Sequence, residues 1–222
     1  TFTAISKKHL ENLQIPLPPV GEQRKIVAKL EKVLGKIKKA KKLREEAQTA
    51  AGSLLAAELH KIFEEGKKKF EMTNFGEVAD LVRGPFGGSL KKEIFVSTGI
   101  AVYEQGNVID NVLDDFRYFV TQKKYEEMKR FEVSSGDILM SCSGTIGRFV
   151  IIPKMFRKGI INQALLKITP MENIIVEYLK YALQDYLALS TTHIKGGAIR
   201  NIVSVKELKQ FKIPLPPLTE QK

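Results

Sequence analysis

Three short segments hold side chains able to hydrogen-bond to base edges or to neutralise phosphate. In Arg83-Gly84-Pro85-Phe86-Gly87-Gly88-Ser89-Leu90-Lys91-Lys92 the glycines let backbone approach a ligand closely, while Arg83, Ser89, Lys91 and Lys92 supply donors and positive charge. Ser141-Cys142-Ser143-Gly144-Thr145-Ile146-Gly147-Arg148 follows an apolar run and offers the hydroxyls of Ser143 and Thr145 and the guanidinium of Arg148. Gln105 and Asn107 flank Gly106 in a third loop, and carboxamides suit adenine edges. Each segment also has a plainer reading: an ordinary surface loop for the first, and a β-turn with Cys142 buried for the second.

Enzymatic chemistry is poorly served by the same residues. Cys142 is the only cysteine, and nothing places His9, His60 or His193 beside it as a general base. The three histidines lie in different segments without a second ligand at metal spacing, so no metal site is expected. SGTIG lacks the Lys-Ser/Thr ending of a nucleotide-cradling loop, and no GxGxxG occurs. The acidic pairs Asp114-Asp115 and Glu126-Glu127 sit among lysines and read as a solvated charged surface. With one cysteine, no signal pattern and no long apolar run, the expected setting is the reducing cytoplasm, away from membranes.

The elements that must position these loops begin with a repeat. Residues 6–23, SKKHLENLQIPLPPVGEQ, recur as residues 204–221, SVKELKQFKIPLPPLTEQ, at an offset of 198. So long a period points to a chain of large modules, of which one module and the seam of the next are present. The expected divisions are residues 1–21 as the end of a preceding module with a proline-rich linker, 22–70 as a long helix, 71–205 as a globular domain, and 206–222 as the start of the next helical region.

Residues 22–69 contain no proline, and Ile26, Leu30, Val33, Ile37 and Ala40 follow a 4-3-4-3 spacing that resumes at Leu43, Ala47, Ala50 and Leu54. This predicts a coiled-coil-forming helix. Its Gly35 and Gly52 make it dependent on packing against a partner, and no other helix in the chain is long enough to cover it, so it should pair with itself. Beside the seam run Lys25, Lys29, Lys32, Lys36 and Lys39, and from Lys32 to Arg44 no acid interrupts seven basic residues. Lys32, Lys36 and Lys39 are candidate phosphate contacts, the alternatives being a solvated face or an acidic protein partner. From Glu71 to about Val205 short Val/Ile/Phe/Tyr-rich runs alternate with glycine turns, and one helix is expected at Ile174–Leu189. The fold class is therefore α+β: a mixed, β-rich domain plus the long helix.

Together these segments resemble the specificity subunits of type I restriction systems. The residues that carry the resemblance are the paired IPLPPxxEQ segments, Gly136-Asp137-Ile138-Leu139, Ser143-Gly144-Thr145-Ile146-Gly147-Arg148, Asn162-Gln163 and Gly196-Gly197-Ala198-Ile199-Arg200-Asn201-Ile202. The resemblance implies a non-catalytic, DNA-binding subunit, about half of a full-length member, that reads one half of a bipartite double-stranded target. It further implies docking to a modification methyltransferase subunit and a restriction subunit. No cofactor is implied for this chain, S-adenosylmethionine and ATP being held by those partners.

Charge supports a polyanionic partner overall, at a net +11 and pI near 9.6. Its location is less obliging. Residues 71–205 hold 16 Lys plus Arg against 15 Asp plus Glu, whereas residues 22–69 hold 14 against 7. That distribution keeps open a second function, a coiled-coil adaptor whose globular domain binds protein rather than DNA.

Overall fold

A computed structural model of the chain describes residues 7–192 and 204–222. Two compact units emerge, residues 1–53 and 54–222. The first holds a short helix α1 (Lys7–Glu11), the extended proline segment, and most of α2 (Val20–Lys69), a single helix of 50 residues. Pro19 caps the start of α2, its carbonyl accepting from the backbone N–H groups of Glu22 and Gln23. Glu22 in the first turn and Lys67, Lys68 and Lys69 in the last complement the helix dipole. The expected long helix is thus continuous, with both glycines inside it. Ile26, Leu30, Val33 and Ile37 are exposed along it, as is Ala47.

The second unit starts with the last turns of α2, whose Phe63 is buried in its core. There follow β1 (Met72–Asn74), α3 (Phe75–Val78), β2 (Ala79–Arg83), two 3-10 turns, β3 (Ile100–Tyr103), α4 (Gln105–Asp110), β4 (Phe119–Val120) and α5 (Gln122–Glu127). The chain continues through β5 (Ile138–Ser141), β6 (Phe149–Ile151), β7 (Gly159–Ile161), β8 (Leu165–Pro170), α6 (Val176–Thr192), α7 (Val205–Gln210) and β9 (Lys212–Pro214). An antiparallel sheet runs β2-β8-β5-β6, a mixed sheet runs β4-β3-β7, and β1 pairs antiparallel with β9. The described fold is α+β.

Alternation in β5 explains how the layers join. Ile138 and Met140 face a core shared with Leu179 and Leu183 of α6, while Leu139 faces the core containing Tyr103 and Ile161 of the mixed sheet. β5 is therefore buried on both faces. One expectation changes: Gln105 and Asn107 lie in helix α4 rather than in a loop. The Asn107 side-chain oxygen accepts from the Glu104 backbone N–H at 2.8 Å at its start, and Asn111 closes it at φ 54°, a left-handed position that Asn tolerates.

Asp137, in the Gly136-Asp137 turn before β5, is 1% exposed. Burial pushes its carboxyl upward, opposed by hydrogen bonds from the Thr169 hydroxyl (2.6 Å) and the Ser134 N–H (2.7 Å) and by nearby Lys167. A raised folded value means that the folded chain binds this proton more readily than the unfolded chain. The corresponding stability is fully present below the unfolded value and lost as pH rises through the folded one. At neutral pH the buried carboxylate depends on its two donors, so Thr169→Val should cost about 1.5–3 kcal/mol there. The loss should shrink in acid, as pH falls through the raised folded value and the carboxyl takes its proton. Urea denaturation at neutral and acid pH checks this.

Candidate nucleic-acid interface

The strand register brings the loops singled out above toward one end of the second unit. Arg83 ends β2 opposite Leu166, Ser141 ends β5 opposite Leu165, and Phe149 begins β6 opposite Met140. In the other sheet β3 and β7 run parallel and end together at Tyr103 and Ile161. The Asn162 N–H then donates to the Tyr103 carbonyl (3.0 Å), and the chain turns into β8. Six strand ends converge there.

The β5–β6 loop is clamped from beneath. The buried Ser141 hydroxyl donates to the Thr145 carbonyl (2.7 Å) and accepts from the Arg148 N–H (3.0 Å), while Gly144 and Gly147 take positive φ. Ser143, Thr145 and Arg148 are left on the outside, exposed. Across the chain, the Gln105 amide donates to the Thr145 carbonyl at 3.3 Å, and Arg83 Nη2 donates to the Cys142 carbonyl at 3.4 Å. Arg83 Nε is buried and makes no hydrogen bond among the described residues. These contacts bring Arg83, Gln105 and the 142–148 loop together.

Cys142 itself is a packing residue. It is buried, its thiol donates to the Met140 carbonyl, and burial pushes its pKa up to about 12, well away from that of a nucleophile. Of the histidines, His60 Nδ1 lies 3.3 Å from Asp185 Oδ1. The side chain of His9, all of His193, and Gly196–Ile202 lie outside the described residues.

Lys91 and Lys92 are exposed and Ser89 is half-buried along the 3-10 turns after β2, where the Ser89 hydroxyl donates to the Phe86 carbonyl (3.2 Å) and the Lys91 side chain folds over Gly88. None of the hydrogen bonds among the described residues ties these three to the 142–148 loop. The Asn107 amide is committed to the fold: it donates to the carbonyls of Val112 (3.0 Å) and Asp115 (2.8 Å). Beside it a shallow concavity of about 490 Å³ is lined by Glu104, Asp110, Asp115 and Arg117, and its carboxylates suit a polyanion poorly.

Two residues that sequence reasoning passed over belong at the convergence. Gln163 is exposed, and its amide makes no hydrogen bond among the described residues. Its platform is rigid: Asn162 Oδ1 accepts from the Ala164 N–H (3.0 Å), the Cys142 N–H donates to the Ala164 carbonyl (2.7 Å), and Gly84 packs directly against the turn. Phe86 is 74% exposed beyond Pro85, which is itself buried. The Asn162-Gln163 pair was visible as a motif, but only the turn's hydrogen bonds separate a structural Asn from a free Gln.

Among the described residues no helix is long and apolar enough to cross a membrane. Comparison with known proteins gives a consistent result. The family model described as the type I restriction modification DNA specificity domain matches residues 1–48 and 67–222. A putative type I restriction enzyme MjaX specificity subunit of Methanocaldococcus jannaschii is 25% identical over 99% of this chain and 52% of its own length. The type I restriction enzyme EcoBI specificity subunit of Escherichia coli is 24% identical over 100% of this chain and 52% of its own. Among solved structures, the HsdS subunit from Thermoanaerobacter tengcongensis superposes with a TM-score of 0.56 at 24% identity, over 100% of this chain and 53% of that one, a likeness of fold. The chain spans about half the length of the curated relatives it matches.

Proposed function

Since the chain belongs to the family of type I restriction modification DNA specificity domains, we propose that it is a non-catalytic recognition module that reads one half of a bipartite DNA target. The convergence of six strand ends carries this reading, because it gathers exposed hydroxyl, amide and guanidinium groups on a rigid base. Thr145, Ser143, Arg148 and Gln163 are the proposed base-edge contacts, with Arg83 beneath them. Gln105 braces the loop, and the amide role passes from Asn107 to Gln163. Lys91 and Lys92 hold phosphate, and Ser89 orders their turn.

The long helix serves, in this reading, as spacer and dimer seam. Ile26, Leu30, Val33, Ile37, Ala47 and Leu54 would pair with a second helix, and C2 symmetry would turn two modules toward the two halves of a target. Lys32, Lys36 and Lys39 are exposed and form no ion pair among the described residues, which suits phosphate contact over the unread spacer. The methyltransferase and restriction subunits are the proposed protein partners.

Selection of duplexes from a randomised pool by the full chain tests the proposal. A short enriched half-site is expected. Arg148→Ala and Gln163→Ala should each relax one position of it by about 1–3 kcal/mol. Replacing Lys32, Lys36 and Lys39 together with Gln should weaken all sequences alike and flatten the salt dependence. The adaptor reading, favoured by the near-neutral charge of residues 71–205, gains if no sequence is enriched.

A further inference from the structure

Residues 138–171 contain no acidic side chain and hold Arg148, Lys154, Arg157, Lys158 and Lys167. Arg148 belongs to the candidate DNA surface, and Lys167 is half-buried, its ammonium donating to the Glu132 carbonyl (2.6 Å). The other three crowd the β6–β7 loop. That loop leaves β6 at Ile151, opposite Ile138, and enters β7 at Gly159, opposite Ala101. It therefore lies at the other end of these strands from the six converging ends, and base reading leaves its cations unused.

The loop is held rigidly. The Ile152 N–H donates to the Asp137 carbonyl and the Ile152 carbonyl accepts from the Gly136 N–H, both at 2.9 Å. Half-buried Phe156 packs against the core containing Tyr103, whose hydroxyl donates to the Arg157 carbonyl (2.6 Å), and the Lys158 carbonyl accepts from the Ala101 N–H (3.1 Å). At its tip Met155 is 91% exposed, with Lys154 and Arg157 exposed on either side. Further positive charge joins through Tyr125. The Lys158 Nζ lies 4.5 Å and the Lys129 Nζ 4.6 Å from the centroid of that buried ring, and exposed Arg130 follows. Nearby acids are already engaged: Glu132 pairs with Lys129 (2.8 Å), Glu127 pairs with Lys124 (3.2 Å), and Glu126 accepts from the Gln122 amide. Arg130, Lys154 and Arg157 form no ion pair among the described residues.

An apolar tip ringed by surplus cations selects a class of partner. Phosphates would meet the cations but would set Met155 against an ionic backbone, whereas an acidic protein surface with an apolar recess satisfies both. Methionine adapts to irregular recesses, a fixed loop loses little freedom on binding, and complementary charge speeds encounter and sets register. We propose that the β6–β7 loop, with Lys129 and Arg130 beside it, is a docking surface for an acidic protein segment that takes Met155 into an apolar recess. This surface stands apart from the DNA-reading loops and from the seam of the long helix.

Amide NMR on the full chain tests it, the probe being a short peptide that alternates glutamate with leucine. Signals of residues 129–130 and 153–158 should move together on titration, while those of residues 143–148 stay in place. Met155→Gln should raise the Kd read from these signals by about tenfold, the scale of a hot-spot side chain. Lys154→Gln combined with Arg157→Gln should raise it by about tenfold or more. All three positions are exposed, so the fold should survive each change, and the duplexes selected by the chain should be unaltered. The proposal is overturned if the signals of residues 153–158 do not move, if Met155→Gln leaves the Kd unchanged, or if a peptide of glutamate alone binds equally well. It is also overturned if a DNA duplex moves those signals more than it moves residues 143–148, which would make nucleic acid the occupant. None of the peptide readouts involves base reading, so its failure and a failure of docking remain distinguishable.

Discussion

Gly84→Ala is expected to destabilise the second unit by about 3 kcal/mol or more, at or beyond the upper end of ordinary overpacking. A Cβ there would lie 1.8 Å from the Asn162 carbonyl oxygen and 2.6 Å from its carbon. Both are backbone atoms of the turn that carries Gln163, so no side-chain rotamer can relieve the clash. Either the end of β2 or the β7–β8 turn must move, and the Gly84 N–H to Leu165 carbonyl bond (2.9 Å) would go with it. DNA binding should fall further than stability alone explains, because Arg83 and Gln163 are displaced together. Gly106→Ala is the control: nothing lies within 4 Å of its Cβ, and alanine in α4 should gain up to about 1 kcal/mol of helix propensity. Urea denaturation of both variants, with duplex binding measured well below each midpoint, checks the pair. Equal stabilities would show that the turn is not held against Gly84.

Ile37→Glu should abolish self-association while leaving the fold of the single chain intact. Ile37 is 46% exposed, so the monomer loses little by the change. In an antiparallel pair the same carboxylate would enter the seam from both copies. At roughly 2 kcal/mol or more for each unpaired polar group buried, twofold symmetry doubles the cost. A total of about 4 kcal/mol raises the dimer Kd by roughly three orders of magnitude. Sedimentation equilibrium across the micromolar range reads the shift. A wild-type chain that remains monomeric at tens of micromolar would remove the basis for the seam, and an unchanged Kd in the variant would place the contact elsewhere.

Local structure was well specified by the amino-acid order. A proline-free run with a 4-3 apolar spacing has one good solution, and α2 follows it from Val20 to Lys69. Leu179, Ala182, Leu183 and Tyr186 likewise share the face that α6 turns to the core. The internal repeat needed no structure at all. These features depend on neighbours within a few residues, where backbone geometry alone sets which side chains meet.

The candidate site did not have that advantage. Gln105 meets Thr145 across 40 residues and Arg83 meets Cys142 across 59, contacts that no local periodicity encodes. Asn107 and Gln163 look equivalent as carboxamides beside glycine turns or strand ends. Tertiary packing alone spends the first on two carbonyls and leaves the second without a hydrogen bond among the described residues. The same holds for the repeat: Ile15 and Ile213 sit in matching strings, yet one is exposed and the other buried, because burial belongs to the surface a residue meets and not to the residue. Sequence thus determined the segments and their chemistry, while the long-range strand register decided which of those groups stand together and which remain available to a ligand.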